Sequence, residues 1–209
     1  MLTEDLLPNS ITSLSKLPLE YKRINSTLAL NCPVSPADLS YVKVVYWSFD
    51  KKDHVGALIV NKALASEILE IFKTLHANKF PIERILPISE YKNNDDDSML
   101  VNNTYSFSCR EVTGQPGIFS QHSYGRAIDI NPKINPYVKS SKNIILPPDG
   151  IKFVDRKKAA KGMITRDSLI YKVFTEHGWD WGGNWNDLQD YQHFEKRANG
   201  EKRNPDGYL

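Results

Sequence analysis

The chain has 209 residues, 27 basic against 25 acidic for a formal net charge of +2, and is 40% hydrophobic. At roughly 150 residues per domain this is one domain or a tight pair, long enough to bury a core without staples, and the average composition excludes wholesale disorder, collagen-like repetition and a disulfide scaffold. So small a basic excess argues against a nucleic-acid partner. Two cysteines, Cys32 and Cys109, cannot build a four-cysteine zinc site, so any metal must be held by carboxylates and some of the five histidines.

Residues 1–36 are punctuated by proline, serine and asparagine and read as an extended N-terminal segment wrapping a main domain over 37–209. The start, MLTEDLLPNS, lacks the basic-then-apolar order of a signal peptide. No apolar run is long enough for a transmembrane helix. These features fit either an intracellular protein or a chain that has lost its leader. VKVVYWSFD (42–50) and VGALIV (55–60) read as strands joined by a turn at 51–54, an antiparallel hairpin. Over 61–79, Leu64, Ile68, Ile71, Phe72 and Leu75 recur at three- and four-residue steps and predict a helix capped by Asn61. A strand is expected at 83–91, a charged loop at 93–99, an extended strand at 102–112 and a turn at 114–117. Residues 138–163, with PPDG and the basic run RKKAAK, read as a long surface loop or flap. Leu169, Ile170, Val173 and Phe174 give a second helix near 166–178, stopped by Gly178. Hairpins with separate helices and no βαβ rhythm predict an α+β fold, an antiparallel sheet with helices on one side.

The chemistry concentrates in two stretches, SQHSYGRAIDINP (120–132) and WDWGGNWNDLQDYQHFE (179–195). A turn at Gly125 lets His122 and Asp129 meet one ion. A carboxylate flanked by Ile128 and Ile130 needs a partner when buried. Downstream, Asp190 and His193 are spaced by three. His122, Asp129 and His193 make a three-ligand set of the kind catalytic zinc uses, with a position left for water. Asp190 remains to take that water's proton.

The S-x-H-x-x-G-x-A-x-D pattern met by Ser120, His122, Gly125, Ala127 and Asp129, followed by D-x-x-H at Asp190 and His193, resembles the zinc D-alanyl-D-alanine carboxypeptidase family. That family includes L-alanyl-D-glutamate endopeptidases. Its wider superfamily shares a fold with lysostaphin-type peptidases and the hedgehog domain. The resemblance runs from about residue 42 to residue 195. It implies zinc on His122, Asp129 and His193, Asp190 as general base, Arg110 as the arginine that stabilises the oxyanion, and Ser120 as a substrate contact. Many carboxypeptidase members carry Glu at the base position, and Asp there is similar to the endopeptidase branch.

The expected function is zinc-dependent hydrolysis of an amide bond in a peptidoglycan stem peptide, either L-Ala-D-Glu within the stem or D-Ala-D-Ala at its end. The alternative is a non-catalytic zinc-containing binding module on the same fold. Such a substrate implies a periplasmic or secreted protein, where Cys32 and Cys109 could bridge. A monomer is the expectation. His54, His76 and His177 read as structural or surface histidines, Trp179, Trp181 and Trp185 as core or cleft wall, Asp95–Asp97 as a solvated loop, and Glu195 as a structural hydrogen-bonding residue.

Overall fold

The computed structural model describes residues 7–17, 20, 23, 32–112 and 115–207. The expected wrap over 1–36 therefore lies largely outside the described residues. Within it, Ser10–Ser13 (β1) pairs antiparallel with Leu39–Trp47 (β2), which pairs in turn with Asp53–Asn61 (β3) from Leu39↔Asn61 to Trp47↔Asp53. This is the expected hairpin, extended at both ends. Period-two alternation gives it two apolar faces. Val42, Val44, Leu58 and Val60 face the main core; Leu39, Tyr41, Ala57 and Ile59 meet Leu14, Leu17 and Phe107 on the other side. Each buried aliphatic side chain contributes about 1.5–3 kcal/mol, so both layers matter.

After one 3-10 turn, the helix α1 (Ala65–Ala77) lays Ile68, Ile71, Phe72 and Leu75 on the hairpin. The Asn61 side chain accepts the Ala63 N–H at 3.1 Å and fixes the start, as its position in the sequence predicts.

The next stretch departs from expectation. Only Arg84–Ile85 (β4) of 83–91 is strand, and Ile88–Tyr91 turns into a 3-10 helix. The charged loop at 93–99 is instead a helix, α2 (Asp95–Leu100): Asn94 accepts the Asp97 N–H at 3.1 Å, three aspartates fill the first turn, and Met99 is buried. Acidic residues suit a helix N-terminus, where they oppose the macrodipole. The extended strand expected at 102–112 is broken into Asn103–Thr104 (β5), parallel to β4, and Glu111–Val112 (β6). Gly114 of the expected turn lies outside the described residues; Gln115–Phe119 (β7) pairs back on β6.

Ala127–Asp129 (β8) then enters the core. The expected flap is more ordered than a loop. Tyr137–Lys139 (β9) and Ile144–Leu146 (β10) form a hairpin, followed by 3-10 turns over Pro148–Phe153. Nor is RKKAAK wholly solvated. Arg156 donates to the carbonyls of Ile134, Phe153 and Ile164 and to Asn135 Oδ1, and sits 4.5 Å over the Tyr191 ring.

Helix α3 (Leu169–Glu176) packs Ile170, Val173 and Phe174 into the main core, and Gly178 follows it at φ 80°. Asp180–Trp181 (β11), Gln189–Asp190 (β12) and His193–Glu195 (β13) complete the chain order. The fold is mixed α and β, with small, mostly antiparallel sheets in place of the single sheet expected. The site strands are two or three residues long because prolines and glycines (Pro132, Pro136, Gly182, Gly183) interrupt them. No helix among the described residues is long and apolar enough to cross a membrane. Cys32 and Cys109 are bridged, their Cα atoms 5.8 Å apart, against the outer face of the hairpin.

Candidate metal centre and cleft

Strand β13 pairs antiparallel with β8 so that His193 lies opposite Asp129, Phe194 opposite Ile128 and Glu195 opposite Ala127. Ile128 and Phe194 enter the core, where Phe194 stacks on Phe174 at 4.2 Å between ring centroids. The alternate residues share the other face. A small residue at Ala127 leaves room for Glu195.

His122 arrives on the 3-10 turn Gln121–Tyr124. Ser120 Oγ accepts the His122 N–H at 3.3 Å, and Gly125 leaves the turn at φ 64°. A Cβ on Gly125 would fall 2.6 Å from the Asn61 backbone nitrogen, so glycine is required for both conformation and space.

The three side chains converge. His122 Nε2 lies 3.1 Å from His193 Nδ1 and 3.2 Å from Asp129 Oδ2, and His193 Nδ1 lies 2.9 Å from Asp129 Oδ1. Four ligands at zinc distances in a tetrahedron stand about 3.3 Å apart, close to these edges. The outer ring nitrogens are tied to acceptors: His122 Nδ1 donates to the Ser106 carbonyl at 2.5 Å, and His193 Nε2 to Glu195 Oε2 at 3.1 Å. With those protons outside, the two inward nitrogens present facing lone pairs beside a carboxylate. Such an arrangement calls for a cation between them. His122, Asp129 and His193, all buried, could hold a metal ion.

Burial opposes ionisation of Asp129, but the His122 and His193 imidazoles hold its carboxyl well below the usual range. Burial likewise works against a charged His193, and Asp129 and Glu195 outweigh it, raising its pKa. Glu195 is lowered by His193 and Arg197 against its own burial, with Arg197 Nε donating at 2.7 Å.

Two of the three candidate ligands, Asp129 and His193, line a cleft of about 370 Å³. Asp129, His193 and Glu195 line it together with Asp190, Tyr137, Leu146, Leu188, Trp185, Arg110, Ser120, Val112 and residues of α2. Asp190 is held on β12 opposite Tyr137. Gly182 lets that strand come close, since a Cβ there would lie 2.6 Å from the Asp190 carbonyl oxygen. Burial pushes the Asp190 carboxyl up to about 6, against the pull of His193 and with the help of Asp129's negative charge. Its Oδ1 is buried with no hydrogen-bond partner among the described residues. Arg110 is ion-paired with Asp95 on α2. The Ser120 hydroxyl lines the cleft while capping the His122 turn.

All six residues singled out in the sequence thus line this cleft or its metal cluster. Three further contributors were not singled out. Ser106 acts through its backbone carbonyl, which leaves no trace in residue type. Tyr105 stacks on the His122 ring, and Tyr137 lines the cleft. Asp95, expected to be solvated, pairs with Arg110 instead; the Asn94 cap three residues before Asp97 was the available signal. Trp185 is cleft wall, 5.5 Å from the His193 ring, whereas Trp179 and Trp181 are core. His54 and His76 pair with Asp50 and Asp53 near the hairpin turn, and His177 contacts the Val173 carbonyl.

No curated protein and no solved structure matches the chain. A family model described as D-alanyl-D-alanine carboxypeptidase matches residues 113–196. That stretch is shorter than the resemblance read from the sequence. It carries His122, Asp129, Asp190 and His193 and leaves out the hairpin, α1 and Arg110. The stretch that supplies all three residues of the candidate metal cluster is therefore the one that the family model matches.

Proposed function

We propose that this chain is a zinc-dependent peptidase that hydrolyses an amide bond of peptidoglycan stem peptides. The observation that carries this reading is the convergence of His122 Nε2, His193 Nδ1 and the Asp129 carboxylate beside a cleft that Asp129, His193, Asp190 and Arg110 line. The family match supplies the substrate class. It also favours a peptidase fold of the kind shared with the hedgehog domain.

Zinc held by these three residues would supply Lewis acidity, polarising the scissile carbonyl and bringing the pKa of water toward about 7. Asp190 takes the proton of the attacking water and returns it to the leaving amine. Its raised pKa and unpartnered Oδ1 suit both halves of that transfer. Arg110 places positive charge where the oxyanion develops. Glu195 and the Ser106 carbonyl hold the two imidazoles in the tautomers that ligation needs. The Ser120 hydroxyl, at the cleft wall, contacts the bound peptide.

Aspartate at position 190 tilts the reading toward the L-Ala-D-Glu bond over D-Ala-D-Ala. A periplasmic or secreted location follows from the substrate, and the Cys32–Cys109 bridge suits an oxidising compartment. Digesting purified peptidoglycan with the zinc-loaded protein and weighing the fragments tests the proposal. New L-alanine and D-glutamate ends support the endopeptidase, released D-alanine supports the carboxypeptidase, and an absence of product leaves a non-catalytic zinc module.

A further inference from the structure

We infer that Asp95 and Tyr105 are positioning residues that seat the Arg110 guanidinium at the cleft wall and set its aim toward the metal cluster. This rests on the reading of Arg110 as the oxyanion donor.

The three side chains form a closed ring of contacts. Asp95 Oδ2 is ion-paired with Arg110 Nε. Asp95 Oδ1 accepts the Tyr105 O–H at 3.1 Å, and Ser108 Oγ lies 3.5 Å away from the same oxygen. Tyr105 Oη in turn accepts from Arg110 Nη2 at 3.5 Å. All three residues line the cleft, and Tyr105 is only 1% exposed. The Tyr105 ring also stacks on the His122 imidazole, 5.1 Å between centroids and 23° between planes. One side chain therefore touches both the arginine and a metal ligand.

A guanidinium is planar, so fixing Nε and one terminal nitrogen fixes the whole fork. The terminal nitrogens are held only loosely: Nη1 reaches the Glu111 carbonyl at 3.5 Å, as Nη2 reaches Tyr105 at 3.5 Å. At that length the bonds are weak. The Asp95 charge holds the fork at Nε as an ion pair without a hydrogen bond there, and the weakly engaged outer N–H groups keep their capacity for a developing oxyanion. A donor already in place when charge appears is what makes such a group effective. The backbone is held as well: Arg110 N–H donates to Ser123 Oγ at 2.9 Å, and Ser123 Oγ donates to the Arg110 carbonyl at 2.6 Å, one residue after His122. Asp95 reaches its place because Asn94 caps α2 immediately before it.

The test compares Asp95→Asn, Arg110→Ala and the double variant on zinc-loaded protein, with purified peptidoglycan as substrate and millimolar guanidinium chloride as a rescue agent. Asp95→Asn, near-isosteric, is expected to lower kcat on the order of ten- to a hundred-fold through misplacement of the fork. KM and bound zinc should stay unchanged. The double variant should be no slower than Arg110→Ala alone. Added guanidinium should restore turnover to Arg110→Ala but not to the double variant, whose seat is gone. Tyr105→Phe should show a smaller fall with the same coupling. Arg110→Lys replaces Arg110→Ala in the cycle if the alanine variant does not fold. Additive losses, or equal rescue with and without Asp95, overturn the inference alone. Full turnover in Arg110→Ala, or none in the unmodified protein, removes the reading beneath it and the inference as well.

Discussion

Asp129 and Asp190 are both carboxylates of the same cleft, and their surroundings drive them apart. Asp129 stands between two imidazoles, its oxygens 2.9 and 3.2 Å from ring nitrogens, and is held ionised. Asp190 has one buried oxygen with no partner among the described residues, and its pKa rises to about 6. A permanently charged carboxylate makes a ligand; one poised near neutrality makes a proton carrier. Two titratable groups separated in this way suit the roles proposed for them, ligand and base. Burial alone does not distinguish them, because it pushes both upward. The difference comes from the number of imidazole nitrogens within hydrogen-bonding distance, two at Asp129.

The comparison breaks most completely if the imidazoles are removed. His122→Ala or His193→Ala should abolish stoichiometric zinc after dialysis and with it all turnover; a variant that keeps a full equivalent of zinc would refute the ligand assignment. Next in size, Asp190→Asn should retain zinc while turnover falls about 10²- to 10⁴-fold, the usual worth of a positioned base. The pH profile sharpens this point. The proposed base must be ionised, so activity should climb with pH through the Asp190 titration. A bound cation adds to the pull on its proton, placing the acid limb at or below about pH 6. Asp190→Asn should lose that limb, and an unchanged limb would assign it to another group. The smallest expected effect is at Glu195→Gln, which keeps a hydrogen-bond acceptor for His193 but not the charge. Zinc affinity, measured by competition with a chelator, should weaken on the order of 10-fold, the low end for partners of metal-bound histidines. Unaltered affinity would make Glu195 a purely structural residue.

Some of the molecule is legible in its residues because the determinants are local. The hairpin alternates, α1 has its Asn61 cap, and His122 and Asp129 are brought round by a glycine that the backbone requires at position 125. The parts that resist reading depend on partners far along the chain. Arg156 looks like one more charge in a basic run. It becomes a half-buried hub only because Ile134, Asn135 and Ile164 offer it oxygens. Asp95 lies in an acidic run whose length suggests solvent, and its role appears only once Arg110 is beside it. The orientation of His122 depends on a carbonyl sixteen residues earlier, which any residue type could provide.

The facing of Asp129 and His193 across β8 and β13 also determines which changes in chain length the molecule can accept. The two residues are 64 positions apart, yet only the phase of two three-residue strands decides whether they meet. Segments between the strands can lengthen or shorten so long as the strands still pair. Deleting one residue inside either strand turns its side chains to the opposite face, delivering Ile128 or Phe194 to the cleft and a charged group to the core. The candidate ligand pair is thus addressed by parity rather than by distance along the chain. Insertions should be harmless near the Ser140–Asn143 bend and ruinous within Ala127–Asp129 or His193–Glu195.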